Sequence, residues 1–192
     1  MSKTKEMLID VARQLFARDG LENTTMNDIA KASKKGRRTL YTYFKNKNEI
    51  YLAVVESELS HISDALKGVL PMNIPADDKL VRYIFLRLDA IKEAVLRNGT
   101  LRSEFFRDIW KVEQARKKFD SQEISMIQTI LRQGIEEGVF NLPSVEVAAL
   151  YIHYSLRGWD VPYIRGVFNE LGITRYTLRE YILDIVFNGI KK

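Results

Sequence analysis

The sequence contains no cysteine, which removes thiolate zinc sites, iron–sulfur clusters, thiol nucleophiles and disulfide scaffolds together. It has only two histidines and four prolines. No run approaches the roughly 18 apolar residues of a membrane span. Met1 to Glu6 leads into a charged amphipathic pattern and not into the apolar stretch of a signal peptide, so a cytoplasmic protein with no membrane partner is expected. A P-loop and a glycine-rich dinucleotide turn are both missing. So are internal repeats and the sustained apolar–polar alternation of half-buried strands. What remains is a 192-residue chain, 46% hydrophobic, large enough for one sizeable core or two smaller ones and too apolar for disorder.

Acidic residues are missing from one stretch in particular. The net charge is +5, and residues 1–50 hold eleven basic against six acidic side chains, while the nineteen of each sign in the rest cancel. Within that first quarter, residues 31–47 carry seven basic side chains and no acidic one. Such a run is either a solvated helix face or a phosphate-binding surface.

The apolar residues recur with helical spacing almost throughout. Leu8, Val11, Ala12, Leu15 and Phe16 mark a helix over about 4–18, with Gly20 expected as its left-handed cap. Thr25 and Asp28 form a capping-box pattern for a second helix that runs to about Ala32. Leu40 and Phe44 give a third, Arg38 to Phe44, its buried side. Asn46-x-x-Glu49 opens a long fourth helix that carries Ile50, Tyr51, Val54, Val55, Leu59, Ile62, Leu66 and Val69 and stops before Pro71. Pro71 to Pro75 is the expected junction between two parts of the structure. Beyond it, one helix carries Leu80 to Val95 and closes at Asn98-Gly99. A shorter one spans Leu101 to Trp110, and a third carries Phe119 to Ile135 and ends at Gly138. Ser144 to about Trp159 and Arg175 to Ile190 are the last two long helices; no element is assigned between them, where Pro162 and Gly172 fall.

The segment 144–160 places Glu146, His153, Arg157 and Asp160 on one narrow stripe and is otherwise apolar or small. A helix apolar over most of its circumference needs cover on more than one side. Either it is a central core helix, or one side faces a second copy of the chain in a two-fold dimer built on the last two long helices; the dimer is the preferred reading.

Helix, tight turn and second short helix between residues 25 and 44, with cations in the turn and second helix, is the plan of a helix-turn-helix. The run from Thr25 to Ile50 resembles the DNA-binding signature of the tetracycline-repressor (TetR) family. Asp28-Ile29-Ala30, Thr39-Leu40-Tyr41-Thr42-Tyr43-Phe44, and Lys47 after Asn46 are its most specific pieces. The likeness covers about 48 residues, from the first helix to the start of the fourth, and the remainder agrees in plan only. It implies an all-α fold of about nine helices. In it a three-helix DNA-binding domain, residues 1–48, is joined by the long fourth helix to a ligand-binding and dimerisation bundle, residues 49–192. It also implies a sequence-specific regulator, a repressor, released from a palindromic operator in double-stranded DNA by a small-molecule effector. By the resemblance Thr25, Lys35, Gly36, Arg37, Arg38, Thr39, Tyr41, Thr42, Tyr43 and Lys47 meet DNA. Arg37, Arg38 and Thr39 are the candidates for base readout, while Thr25, Tyr43 and Lys47 are phosphate clamps.

The turn departs from the family pattern. Where a glycine and an apolar residue are usual, Lys34 and Lys35 stand here. A lysine at positive φ is strained, so either the turn changes geometry or Gly36 takes the special conformation.

For the effector, Phe85, Phe105, Phe106, Trp110, Tyr151 and Tyr154 combine apolar bodies with polar tips and are the candidate pocket wall, against plain core packing. Arg82, Arg87 and Arg102 either pair with an acidic ligand or lie at the surface. No cofactor or metal is expected. Glu58-x-x-His61 has half the spacing of a carboxylate-bridged di-iron site, but its second half is missing because Leu150 stands three residues before His153. Ser2-x-x-Lys5 and Asn98-Gly99-Thr100 carry no chemistry in this setting, so an enzyme is a remote alternative. A ligand-independent architectural or cell-division regulator on the same fold is the nearer one.

Overall fold

The computed structural model describes the backbone of residues 2–98 and 109–188, with the side chains of all but 109–112, 114, 115, 175, 182, 183 and 185–188. Among the described residues there are nine helices and no strand: α1 (Lys3–Asp19), α2 (Met26–Ala32), α3 (Arg37–Tyr43), α4 (Lys47–Lys67), α5 (Ala76–Arg97), α6 (Ile109–Glu136), α7 (Val145–Arg165), α8 (Val167–Glu170) and α9 (Arg175–Asn188).

The chain forms two compact units, one from residues 1–61 with 93–118 and the other from 62–92 with 119–192. The boundaries fall inside α4, α5 and α6, and the loop carrying Pro71 and Pro75 lies within the second unit.

In the first unit the apolar stripe of α1 (Leu8, Ile9, Ala12, Leu15 and Phe16) meets Ile29 and Ala30 of α2, Leu40 and Phe44 at α3, and Ile50, Tyr51, Val54 and Val55 of α4. Leu8, Phe16, Ile29 and Leu40 are fully buried, each contributing about 1.5–3 kcal/mol by area removed from water. Ser2 caps α1 through its hydroxyl, which accepts from the Lys5 amide at 3.3 Å. Gly20 closes α1 at φ 87°, ψ 157°, a positive-φ conformation that favours glycine but differs in ψ from the left-handed helical cap expected; its amide donates to Phe16. Glu58, buried on α4, accepts from Arg97 at 2.6 Å and lies 3.8 Å from Arg13. His61 is exposed, so the Glu58-x-x-His61 pair does not assemble into half of a metal site.

The second unit buries Ile62, Leu66, Leu80, Ile84, Phe85, Leu88, Phe119, Ile127, Ile130, Leu131, Ile152 and Leu156. At the end of α6 a Cβ on Gly134 would run into the ring of buried Phe140, so glycine lets the chain fold back there. The helix expected to stop near Trp159 continues through Pro162 to Arg165 and ends at left-handed Gly166. The short helix α8 follows, so 161–174 is largely helical. Of the helix expected over Leu101 to Trp110, residues 101–108 lie outside the described residues, and Ile109 and Trp110 begin the long α6.

Of the polar stripe of α7, Glu146 is exposed and pairs with Arg132, while the other three residues turn toward the interior. His153 and Asp160 are buried and Arg157 is half-buried, while Val147, Tyr151 and Tyr154 are 65%, 65% and 58% exposed, with Leu150 between them. The apolar residues at i, i+3, i+4 and i+7 therefore form an outward stripe.

Candidate nucleic-acid interface

The capping box expected at Thr25 is formed. Its hydroxyl accepts from the Asp28 amide at 3.2 Å and donates to the Asp28 carboxylate at 2.6 Å, and the Thr25 amide donates to the same carboxylate at 2.9 Å. The hydroxyl bond, supported by that amide, holds the Asp28 carboxyl below its ordinary range. This fixes the start of α2, and α2 ends at Ala32 as its pattern indicates.

The turn that follows resolves the departure at Lys34. Lys34 has φ 54°, and Gly36 is extended at φ −63°, ψ 147°, so the lysine and not the glycine takes the left-handed position. The Lys34 amide donates to Lys31 at 3.1 Å and the Lys35 amide to Ala30 at 3.1 Å, the two bonds of a Schellman cap. The α6 and α8 termini close with the same bond pair and place glycines, Gly138 and Gly172, at the left-handed position. Lys35 occupies the position that usually packs back on the helix, and it is exposed. Replacing Lys34 with glycine should remove about 1 kcal/mol of left-handed strain and raise the melting temperature by roughly 2–4 °C, while Lys34→Val should lower it. A calorimetric scan that finds Lys34→Gly destabilised would contradict this reading of the turn.

Leu40, fully buried, and Phe44, the buried residue that ends α3, anchor the helix on the first unit's core. Arg37, Arg38, Tyr41 and Thr42 are exposed; Thr39 and Tyr43 are half-buried, with Tyr43 against the core. The Thr42 hydroxyl donates to the Arg38 carbonyl at 2.9 Å. Among the described residues Lys31, Lys34, Lys35, Arg37, Arg38 and Lys45 make no ion pair. Six cations around one anchored seven-residue helix, of which Lys31 lies near the Asp28 carboxylate, form a surface suited to a polyanion.

Two residues expected at DNA have duties within the fold. The Thr25 hydroxyl serves the capping box. The Lys47 ammonium donates to the Leu21 and Glu22 carbonyls at 2.6 and 3.2 Å, pinning the α1–α2 loop to the start of α4. That start is capped by Asn46, which accepts from the Glu49 amide at 3.0 Å. A Cβ at Gly36 would meet nothing within 4 Å, so nothing within the chain requires glycine there.

The proposed pocket wall is only partly placed. Phe85 is buried in the second unit. Tyr151 and Tyr154, of the candidate pocket wall, lie on the outer surface of α7, away from the buried Ile152, His153 and Leu156. Phe105 and Phe106, and the side chain of Trp110, lie outside the described residues, as does Arg102.

The second unit instead holds a buried polar network that the sequence reading did not assemble. Arg87 is fully buried on α5 and donates through Nε to Glu123 at 2.6 Å and through Nη1 to Asp160 at 2.7 Å. Burial opposes its charge, but the two carboxylates outweigh this and raise its pKa. Burial likewise pushes Glu123 up, yet the Arg87 guanidinium prevails and holds it below the carboxylate range. Tyr83 is raised by burial and by Glu123. Arg87 is thus committed within the fold and unavailable to an acidic ligand, and Arg82 is exposed. The signal for this network was a charge on an apolar stripe: Arg87 follows Leu80, Tyr83 and Ile84, and Glu123 stands between Phe119 and Ile127.

Residues 8–54 match the family model described as bacterial regulatory proteins, tetR family. The chain is 24% identical over 191 residues to the HTH-type transcriptional regulator QacR of Staphylococcus aureus, covering 98% of each. Among solved structures, a transcriptional regulator from Cytophaga hutchinsonii is 25% identical with a TM-score of 0.74, covering 97% of this chain and 98% of that one. The SmeT–triclosan complex shares the fold at 17% identity and a TM-score of 0.69, covering 100% of this chain and 93% of that one.

Proposed function

Because this chain belongs to the TetR family of DNA-binding transcriptional regulators, we propose that it is a homodimeric repressor that holds a palindromic operator and is released by a small-molecule effector. The observation that carries the proposal is the anchored α3 with its unpaired cations. Residues 1–48 are the reading head, with Arg37, Arg38 and Thr39 at base edges. Lys35, Gly36, Tyr41, Thr42 and Tyr43 contact the backbone or adjoining bases. Thr25 and Lys47 reach phosphate by sharing groups that also hold the fold. Open space at Gly36 suits close approach of a phosphate to the main chain. Such a protein works in the cytoplasm, where its operator is.

Residues 49–192 dimerise and receive the effector. The exposed stripe of Val147, Leu150, Tyr151 and Tyr154, with Tyr176 and Tyr181 exposed on α9, supplies the apolar surface of a two-fold interface. The SmeT–triclosan complex, which shares this fold, supports a small molecule as the effector. A ligand that binds one spacing of the reading heads about 100-fold better shifts their equilibrium by roughly 2.7 kcal/mol, enough to release an operator.

Tyr151→Glu combined with Tyr154→Glu tests the arrangement. Both residues are exposed, so the chain should fold while the dimer dissociates in sedimentation. Operator affinity should fall by roughly 100-fold or more as two linked half-site contacts become independent. A double variant that stays dimeric, or a monomer that keeps full affinity, would overturn it.

A further inference from the structure

We propose that Asp120, Glu123 and His153 bind one divalent transition-metal ion within the second unit. The inference rests on three donor groups whose free atoms meet at one place. Glu123 gives one carboxylate oxygen to Arg87 at 2.6 Å, and its other, Oε2, is buried with no hydrogen-bond partner. Asp120 gives Oδ2 to Arg157 at 3.2 Å, and its Oδ1 is likewise buried and unsatisfied. His153 is fully buried, and neither Nδ1 nor Nε2 has a hydrogen-bond partner. One donor atom from each residue can be chosen so that all three lie within 4.8 Å of one another.

The separations suit an ion. His153 Nδ1 stands 3.4 Å from Glu123 Oε2, and Nε2 stands 3.7 Å from Asp120 Oδ1. Both exceed the usual N–H···O range of about 2.7–3.2 Å. Two ligands each about 2.0–2.2 Å from one ion stand roughly 3–4 Å apart. Only one imidazole nitrogen serves as the ligand, so a small rotation of His153 or Asp120 closes the site as the ion enters.

Charge points the same way. Around His153 stand Asp120 and Glu123 from α6, Asp160 and Arg157 from α7, and Arg87 from α5. Asp120 and Glu123 each bring to His153 one carboxylate oxygen that no guanidinium holds, at a place largely screened from water. Buried carboxylate oxygens of this kind are stabilised by a cation. One imidazole with two carboxylates suits Zn²⁺, Mn²⁺, Fe²⁺ or Co²⁺ better than Ca²⁺ or Mg²⁺, which favour oxygen ligands throughout. Arg87 and Arg157 hold the other carboxylate oxygens and so orient the ligands. Three protein ligands leave a coordination position for water or for a donor atom of an effector. The sequence suggests no such site because His153 lies thirty residues from the i, i+3 pair of carboxylates.

The test uses the full chain, stripped with chelator, dialysed and titrated with Co²⁺ as a visible-absorbing probe. One Co²⁺ per chain should bind, give a d–d absorption band, and be displaced by Zn²⁺ but not by Mg²⁺. His153→Gln and Asp120→Asn should each weaken binding by about 100-fold or more, with the surface variant Arg132→Gln unchanged. Asp120 is the more exposed ligand, so its variant decides should His153→Gln not fold. A folded wild-type chain with no Co²⁺ band overturns the proposal. So does stoichiometric binding that survives both ligand changes, or a His153 imidazole that protonates between the two carboxylates while no ion is retained. The readout involves no DNA, so its failure leaves the operator-binding proposal standing.

Discussion

Arg87→Met should lower the unfolding free energy by about 3–5 kcal/mol and the melting temperature by roughly 10 °C or more. The reason is asymmetric. Arg87, fully buried, is held by the Glu123 and Asp160 carboxylates, and removing it takes from both the guanidinium that bridges them. The loss should depend on pH through Glu123. In the native chain Arg87 holds its folded pKa below the unfolded value, so its stabilising contribution is full above the ordinary carboxylate pKa and is lost as pH falls through the folded one. Without Arg87 the largest influence that lowers this pKa is gone, and that contribution is missing from the variant. The gap between variant and wild type should therefore narrow as the pH is lowered from 7 toward the carboxylate range. Denaturant titrations across that range measure it, and a loss below about 1 kcal/mol at neutral pH would contradict the role given to Arg87.

Arg37→Ala with Arg38→Ala should weaken operator binding by roughly 100-fold or more, since each good bidentate base contact is worth about 1–3 kcal/mol. Both side chains are exposed and neither makes an ion pair, so stability should change by no more than about 0.5 kcal/mol. The single variants separate the two roles. Loss of a base contact relaxes specificity at one position, whereas loss of a phosphate contact weakens all sequences alike and reduces the salt slope by about one. Lys47 is a poorer probe of the same surface, because its ammonium also holds the Leu21 and Glu22 carbonyls. Equal binding by the double variant and the wild type would remove α3 as the reading element.

The helix-turn-helix was legible in the sequence because its signals are local. Thr25 and Asp28 cap α2 three residues apart, Leu40 and Phe44 mark the buried side of α3 four apart, and the cations lie in one run. At Lys34 the cap wins over side-chain preference: two backbone hydrogen bonds close α2 and the lysine accepts positive φ. The second unit was legible only as helices. On α7 the apolar majority suggests cover on more than one side, and His153 and Asp160 turn inward toward Glu123 on α6 and Arg87 on α5, while Tyr151 and Tyr154 turn out. Partners 36 and 73 positions from Arg87 leave no spacing to read.

The most direct measurement is selection of bound duplexes from a random pool, followed by titration of the recovered duplex at several salt concentrations. The expected result is an inverted repeat whose half-sites lie about one helical turn apart or a multiple of it. Affinity should fall by roughly 1,000-fold or more between about 50 and 200 mM salt, with a log–log slope near −0.9 for each phosphate neutralised. No enriched repeat, or retention indifferent to salt, would contradict assignment of the α3 surface to an operator.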